Sequence, residues 1–142
     1  MRGRFAGLAC AVALAACQPG GDGASTGATE AFSGIAKDET VRITGTEPFW
    51  AGEIAGTMAR YSTPENPDGS RFSVERFAGL NGVSFSGQLG EARFDLMITP
   101  GECSDGMSDR TYPFTATLML GSEQRLGCAW TDRQPYTGSE TP

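Results

Sequence analysis

Hydrophobic residues in this chain recur with a period of two. Phe94, Leu96 and Ile98 alternate with Arg93, Asp95, Met97 and Thr99, and Phe114, Ala116, Leu118 and Leu120 alternate with Thr115, Thr117 and Met119. Such alternation places one apolar face on an extended segment, so both runs read as half-buried strands. Val41/Ile43, Trp50/Ile54, Ala59/Tyr61, Phe72/Val74, Val83/Phe85 and Leu126/Cys128/Trp130 repeat the pattern over shorter spans. Turn chemistry falls between them at Gly56-Thr57, Pro67-Asp68-Gly69-Ser70, Asn81-Gly82, Gly90-Glu91 and Gly121-Ser122. Asn81-Gly82 reads as a type I′ hairpin turn, which needs positive φ at both central residues.

Short connections force antiparallel neighbours. Eight strands with one apolar face each must close on themselves to hide their edges and that face, so the expected fold is all-β: a small antiparallel meander forming a β-barrel or flattened barrel. Ser73 to Asn81 also fits a short helix through Val74, Phe77 and Leu80, but the alternation of Phe72 with Val74 favours strand, and Gly79 disfavours helix. One connection is long. Thirteen residues, Pro100 to Tyr112, separate the strand ending at Thr99 from the one starting at Pro113. Loops of this length in compact domains are usually functional or disordered.

Composition narrows the chemistry. The 142 residues include no histidine and carry a net charge of −6. A Ser-His-Asp triad, a Cys-His pair and imidazole metal ligation are therefore excluded. Nucleic-acid binding through phosphate neutralisation does not fit an acidic chain.

The first sixteen residues read as a secretory signal: Arg2 and Arg4, an apolar run from Leu8 to Leu14, then small residues. The run is shorter than the ~20 residues needed to span a bilayer. Leu14-Ala15-Ala16-Cys17 matches a bacterial lipobox, in which a diacylglyceryl group carrying fatty acyl chains such as palmitate is attached to the cysteine thiol before cleavage on its N-terminal side; an ordinary secretory signal is the plainer alternative. Gln18, not Asp, follows the cysteine, which implies sorting to the outer membrane with the domain in the periplasm. Acyl chains, at about 0.8 kcal/mol per buried CH₂, then anchor the protein without a transmembrane helix.

Removing residues 1–16 takes the net charge to −8, which favours a cationic partner. Residues 17–37 read as the acylated cysteine and a Gly/Ser/Thr-rich flexible tether, 38–131 as the barrel domain, and 132–142 as a disordered polar tail. In an oxidising compartment Cys103 and Cys128 are expected to pair, the alternative being two buried thiols. A bridge between them would stabilise the fold by roughly 3.5 kcal/mol in the chain-entropy account, and would hold the long loop against the last strand.

Gly45-Thr46-Glu47-Pro48-Phe49-Trp50, Tyr61-Ser62-Thr63-Pro64-Glu65-Asn66, the string from Cys103 to Phe114, and Gly127-Cys128-Ala129 resemble the motifs of a family of uncharacterised proteobacterial envelope lipoproteins. The resemblance spans Ile43 to Ala129. Members of that family are sometimes described beside the membrane-bound inhibitors of C-type lysozyme, another group of small periplasmic β-barrel lipoproteins. This chain lacks that group's cysteine-rich pattern, and its single lysine is Lys37, so no inhibitory residues carry over. The resemblance implies a lipoprotein with a two-cysteine barrel and implies no activity.

Few residues offer site chemistry. Asp105 and Asp109, with the Ser104 and Ser108 hydroxyls, are hard oxygen donors of the kind Ca²⁺ takes, yet their spacing is not that of an EF-hand and the simpler reading is a side-chain-capped turn. Glu47, Glu102, Asp105 and Asp109 could supply a carboxylate pair, but a domain this small scarcely provides a cleft; no enzyme, cofactor or metal is expected. Arg110 is a fork for a carboxylate or phosphate, or a partner for Asp105, Asp109 or Glu47. Trp50 and Trp130 either line a mouth or plug the barrel.

Two function classes follow. One is an envelope interaction module in which Asp105, Met107, Asp109, Arg110 and Tyr112 join Glu47 and Trp50 on one rim and dock a basic periplasmic protein such as a lysozyme. The other is a barrel binding a small ligand in a partly unfilled interior. The Phe, Leu, Ile, Val and Trp content of the inward positions favours the first.

Overall fold

The computed structural model describes residues 30–139; the signal segment, Cys17 and most of the expected tether lie outside them. The described residues form no helix. Eight strands, β1 (Val41–Gly45), β2 (Ala51–Ala55), β3 (Met58–Thr63), β4 (Asn66–Ala78), β5 (Val83–Leu89), β6 (Ala92–Ser104), β7 (Thr111–Leu120) and β8 (Glu123–Trp130), pair in sequence order. All pairs are antiparallel, and β1 closes the barrel on β8 through Ile43 opposite Ala129. Segment 73–78 is thus strand, as its alternation required.

The inward rows fill the barrel. Val41, Ile43, Ile54, Val83, Leu96, Ile98, Ala116 and Leu118 are each at most 2% exposed. At the end carrying the β1–β2 and β3–β4 connections, aromatic rings complete the filling: Trp50 stacks on Tyr61 at 5.8 Å, Tyr61 meets Phe94 edge-on at 6.4 Å, and Phe94 meets Phe72 at 4.9 Å. Gly45 lets Trp50 enter, since a Cβ there would sit 2.1 Å from the indole.

Two turn expectations are corrected. Among the described residues no non-glycine residue has positive φ, and Gly82 is absent from the positive-φ glycines, so Asn81-Gly82 is not a type I′ turn. The loop instead closes with the Gly79 N–H donating to the Gly82 carbonyl at 2.9 Å. Gly82 serves close approach: a Cβ there would lie 2.2 Å from the Ile98 carbonyl oxygen. Pro67 to Ser70 also lies inside β4, the turn being at Pro64-Glu65; the register slips between Tyr61 and Thr63, so those residues form a bulge.

The last strand has the opposite phase from the one its apolar residues suggest. Ala129 faces Ile43 and Phe114 in the core, while Cys128 pairs with Thr44 and Thr115 on the outer wall. Leu126, Cys128 and Trp130 therefore point outward. Cys128 is nonetheless fully buried, because other chain segments cover it.

The long connection supplies that cover. It is not a thirteen-residue loop: β6 and β7 continue as a hairpin past the barrel, with Cys103 opposite Tyr112 and Ser104 opposite Thr111, leaving Asp105 to Arg110 as the tip. A register shift between Pro100 and Cys103 bends this arm back over the outer face of β8. There the Cys103–Cys128 disulfide fixes it, with Cα atoms 5.6 Å apart.

The domain boundaries widen accordingly. Ile35, expected in the tether, is 1% exposed, and Phe32 packs on the core. The Phe32 N–H donates to the Gly79 carbonyl at 2.7 Å and Arg76 donates to the Ile35 carbonyl at 2.6 Å. The expected disordered tail is likewise attached over its described part. Arg133 donates to Asp38 at 3.0 Å, and Thr137 exchanges backbone hydrogen bonds with Thr111 at 2.8 and 2.9 Å. A few apolar side chains in a polar run are enough to seat it where a barrel end and an outer wall need covering.

Candidate functional site

The arm tip is organised by one carboxylate. Asp105 Oδ1 accepts from the Met107 and Ser108 N–H groups, both at 2.9 Å, while Oδ2 accepts from the Ser108 hydroxyl at 2.8 Å and the Tyr112 hydroxyl at 3.1 Å. The Ser104 hydroxyl accepts from the Gly106 N–H at 3.1 Å, and Ser108 Oγ from the Arg110 N–H at 3.2 Å. Burial opposes ionisation of Asp105, but these four donors outweigh it and hold its carboxyl down to about 2. Both Asp105 oxygens are thus committed to their own loop, which makes this residue an organiser and not an open ligand. Among the described residues, no group of three His, Cys, Asp or Glu side chains converges as a metal site.

Behind the tip lies a second, smaller packing centre on the outer wall. Tyr112, Trp130 and Tyr136 meet with ring centroids 5.3 to 5.5 Å apart. Arg110 lies over the Tyr136 ring at 4.3 Å, a cation–π arrangement, and also bonds the Tyr112 hydroxyl. Burial pushes that hydroxyl up. Arg110 and Tyr112 therefore hold the arm and the C-terminal segment together.

In front of the tip the arm meets the β1–β2 connection. Thr46, Glu47, Phe49, Asp105 and Met107 line one cleft, and an apolar groove of about 320 Å³ runs from Met107 past Phe49 and Trp50 to Pro64 and Pro67. Phe49 is 43% exposed and Met107 52%. Continuous with it, a wider cleft of about 710 Å³ is bordered by Glu47, Phe49, Pro64, Glu65 and Arg125. Arg125 donates to the Tyr61 hydroxyl and, at 3.1 Å, to Glu123. Trp50 presents only an edge to the groove. It is 3% exposed, and its indole N–H donates to the Leu126 carbonyl at 3.1 Å.

The expected site residues therefore divide. Glu47, Asp105 and Met107 come together at the cleft in front of the tip, and Met107 also joins Trp50 along the adjoining groove, whereas Arg110 and Tyr112 face the aromatic centre behind it, and Asp109 is exposed at the tip. They do not form a rim of the mouth, because the arm starts at the far end of the barrel and reaches the β1–β2 connection along the outer wall. Phe49, Pro64, Pro67 and Arg125 were missed as groove residues. For Phe49 the signal was available: a strand that points Trp50 inward points Phe49 out.

Comparison of the chain with family models, curated proteins and solved structures gave no match.

Proposed function

We propose that this protein is a lipid-anchored envelope lipoprotein, attached through Cys17 to the outer membrane with its barrel in the periplasm, and that it works by docking a basic protein. The carrying observation is the groove between the stapled arm and the β1–β2 connection. It exposes Phe49 and Met107 beside prolines and has the carboxylates of Glu47 and Glu65 on its margin. An apolar centre with an acidic rim suits a partner that presents an apolar side chain among arginines or lysines, and the −8 charge of the processed chain steers such a partner inward. Disulfide, Asp105 network and aromatic centre together pre-organise the arm, which lowers the entropic cost of binding. Small-ligand binding inside the barrel is disfavoured, because the inward rows are packed to within a few per cent exposure.

The test is capture from the cell envelope at low and high salt with the wild-type chain, with Phe49→Ser/Met107→Ser, and with Asp105→Ala/Asp109→Ala/Arg110→Ala. The reading expects a basic protein that the wild type retains at low salt and both variants lose. Recovery of the same proteins by all three would sink it.

A further inference from the structure

The barrel end opposite the groove carries apolar side chains that the docking role does not use. Phe77 at the end of β4 and Leu80 on the β4–β5 connection are 69% and 61% exposed, the two most exposed large apolar residues among those described, and Met58 beside the β2–β3 turn is 45% exposed. Thr57 accepts from the Val74 N–H at 2.8 Å and Met58 lies opposite Ser73, which places Met58 beside β4, four residues along the strand from Phe77. This is also where the chain arrives from its N-terminal side. Phe32 is bonded to Gly79, and Ile35 to Arg76, within the same loop and strand end that present Phe77 and Leu80.

We infer that Met58, Phe77 and Leu80 form a membrane-contact face that dips into the lipid interface and turns the docking groove toward the periplasm. The inference rests on lipid attachment at Cys17. Glu30 lies 13 residues beyond Cys17, so even fully extended the chain holds Glu30, two residues before the Phe32 contact with this end, within about 45 Å of the bilayer. The end nearest the anchor presents Phe77 and Leu80 to solvent. Apolar side chains at an interface gain by leaving water, and the high local concentration that an anchor imposes makes a small patch sufficient. Lys37, the single lysine, is in the same N-terminal segment and suits a headgroup phosphate, whereas the Glu47 and Glu65 margin lies at the distant end.

The experiment uses the full, processed chain in vesicles of phosphatidylethanolamine and phosphatidylglycerol, with and without brominated acyl chains. Leu80→Trp is compared with Phe49→Trp, each after subtraction of the wild-type emission from Trp50 and Trp130. The added emission at position 80 should shift to the blue on reconstitution and be lost with brominated lipid, while that at position 49 should do neither. If the protein sediments with vesicles but the position-80 emission stays that of an exposed indole, the membrane-contact face is wrong and the anchor stands. If the protein does not sediment, both fall. A blue shift that needs no vesicles and grows with protein concentration would assign the face to a second copy of the chain and overturn the inference.

Discussion

Asp105 does the most at the scale of single residues. Its folded-state carboxyl sits at about 2 against an ordinary 3.8, so its ionised form is favoured by folding. The corresponding stability, about 2 kcal/mol by linkage, is complete above roughly pH 5 and is lost as pH falls through 3.8 toward 2. Asp105→Asn should remove most of that acid dependence and lower stability at pH 7 by about 1–3 kcal/mol, read by denaturant unfolding at pH 7 and pH 3. An unchanged pH 3 to pH 7 difference in the variant would mean that other carboxylates carry it. Gly45→Ala makes a second residue-scale case. With 2.1 Å between the new Cβ and the Trp50 ring, either the indole or β1 must shift, and a loss of about 1–3 kcal/mol with red-shifted tryptophan emission is expected.

At the scale of elements, the strands were legible because each inward row alternates cleanly, as Phe94/Leu96/Ile98 and Phe114/Ala116/Leu118 do. Their closure into a barrel followed from short connections. What the pattern could not show was any apolar residue buried outside the barrel. Leu126, Cys128 and Trp130 look like an inward row but face outward; Leu126 stays 51% exposed, whereas Cys128 and Trp130 are covered by the arm and the C-terminal segment, and periodicity is blind to which side a cover lies on. Ile35 and Tyr136 were hidden for the same reason, as single apolar residues in polar runs. The thirteen-residue loop was misread because Pro100 and Gly101 mark a bulge inside a continuing hairpin, a position that uses the same residues as a turn. The arm's dependence on its staple is measurable. Reduction, or Cys103→Ser/Cys128→Ser, should cost about 3.5 kcal/mol and speed amide exchange from Cys103 to Tyr112 while β2 to β5 keep their protection. Equal exchange with and without the bond would show that the aromatic centre alone holds the arm. Mass analysis before and after reduction checks the bond itself. Tyr136→Ala should lower stability by about 2–4 kcal/mol and expose Trp130, seen as increased quenching by iodide.

For the whole molecule, a filled barrel, an arm fixed to its outer wall and a chain that arrives at the end opposite the groove support the docking role proposed above. The acidic balance, legible from composition, suits the basic partner of that proposal. The groove was only half legible, since Glu47, Trp50, Asp105 and Met107 were singled out by motif and loop length, while Pro64, Pro67 and Arg125 join them only through the folding of β3, β4 and β8. Replacing Cys17 with Ser should move the protein from the membrane to the soluble fraction, and unchanged fractionation would remove the anchor. The most direct test of the docking groove places a photo-crosslinking residue at Met107, and separately at Gln88 on β5, across the barrel from β1, in cells expressing the full chain. A basic envelope protein joined at position 107 and not at position 88 is the predicted result; the same adducts at both positions, or none at 107, would contradict it.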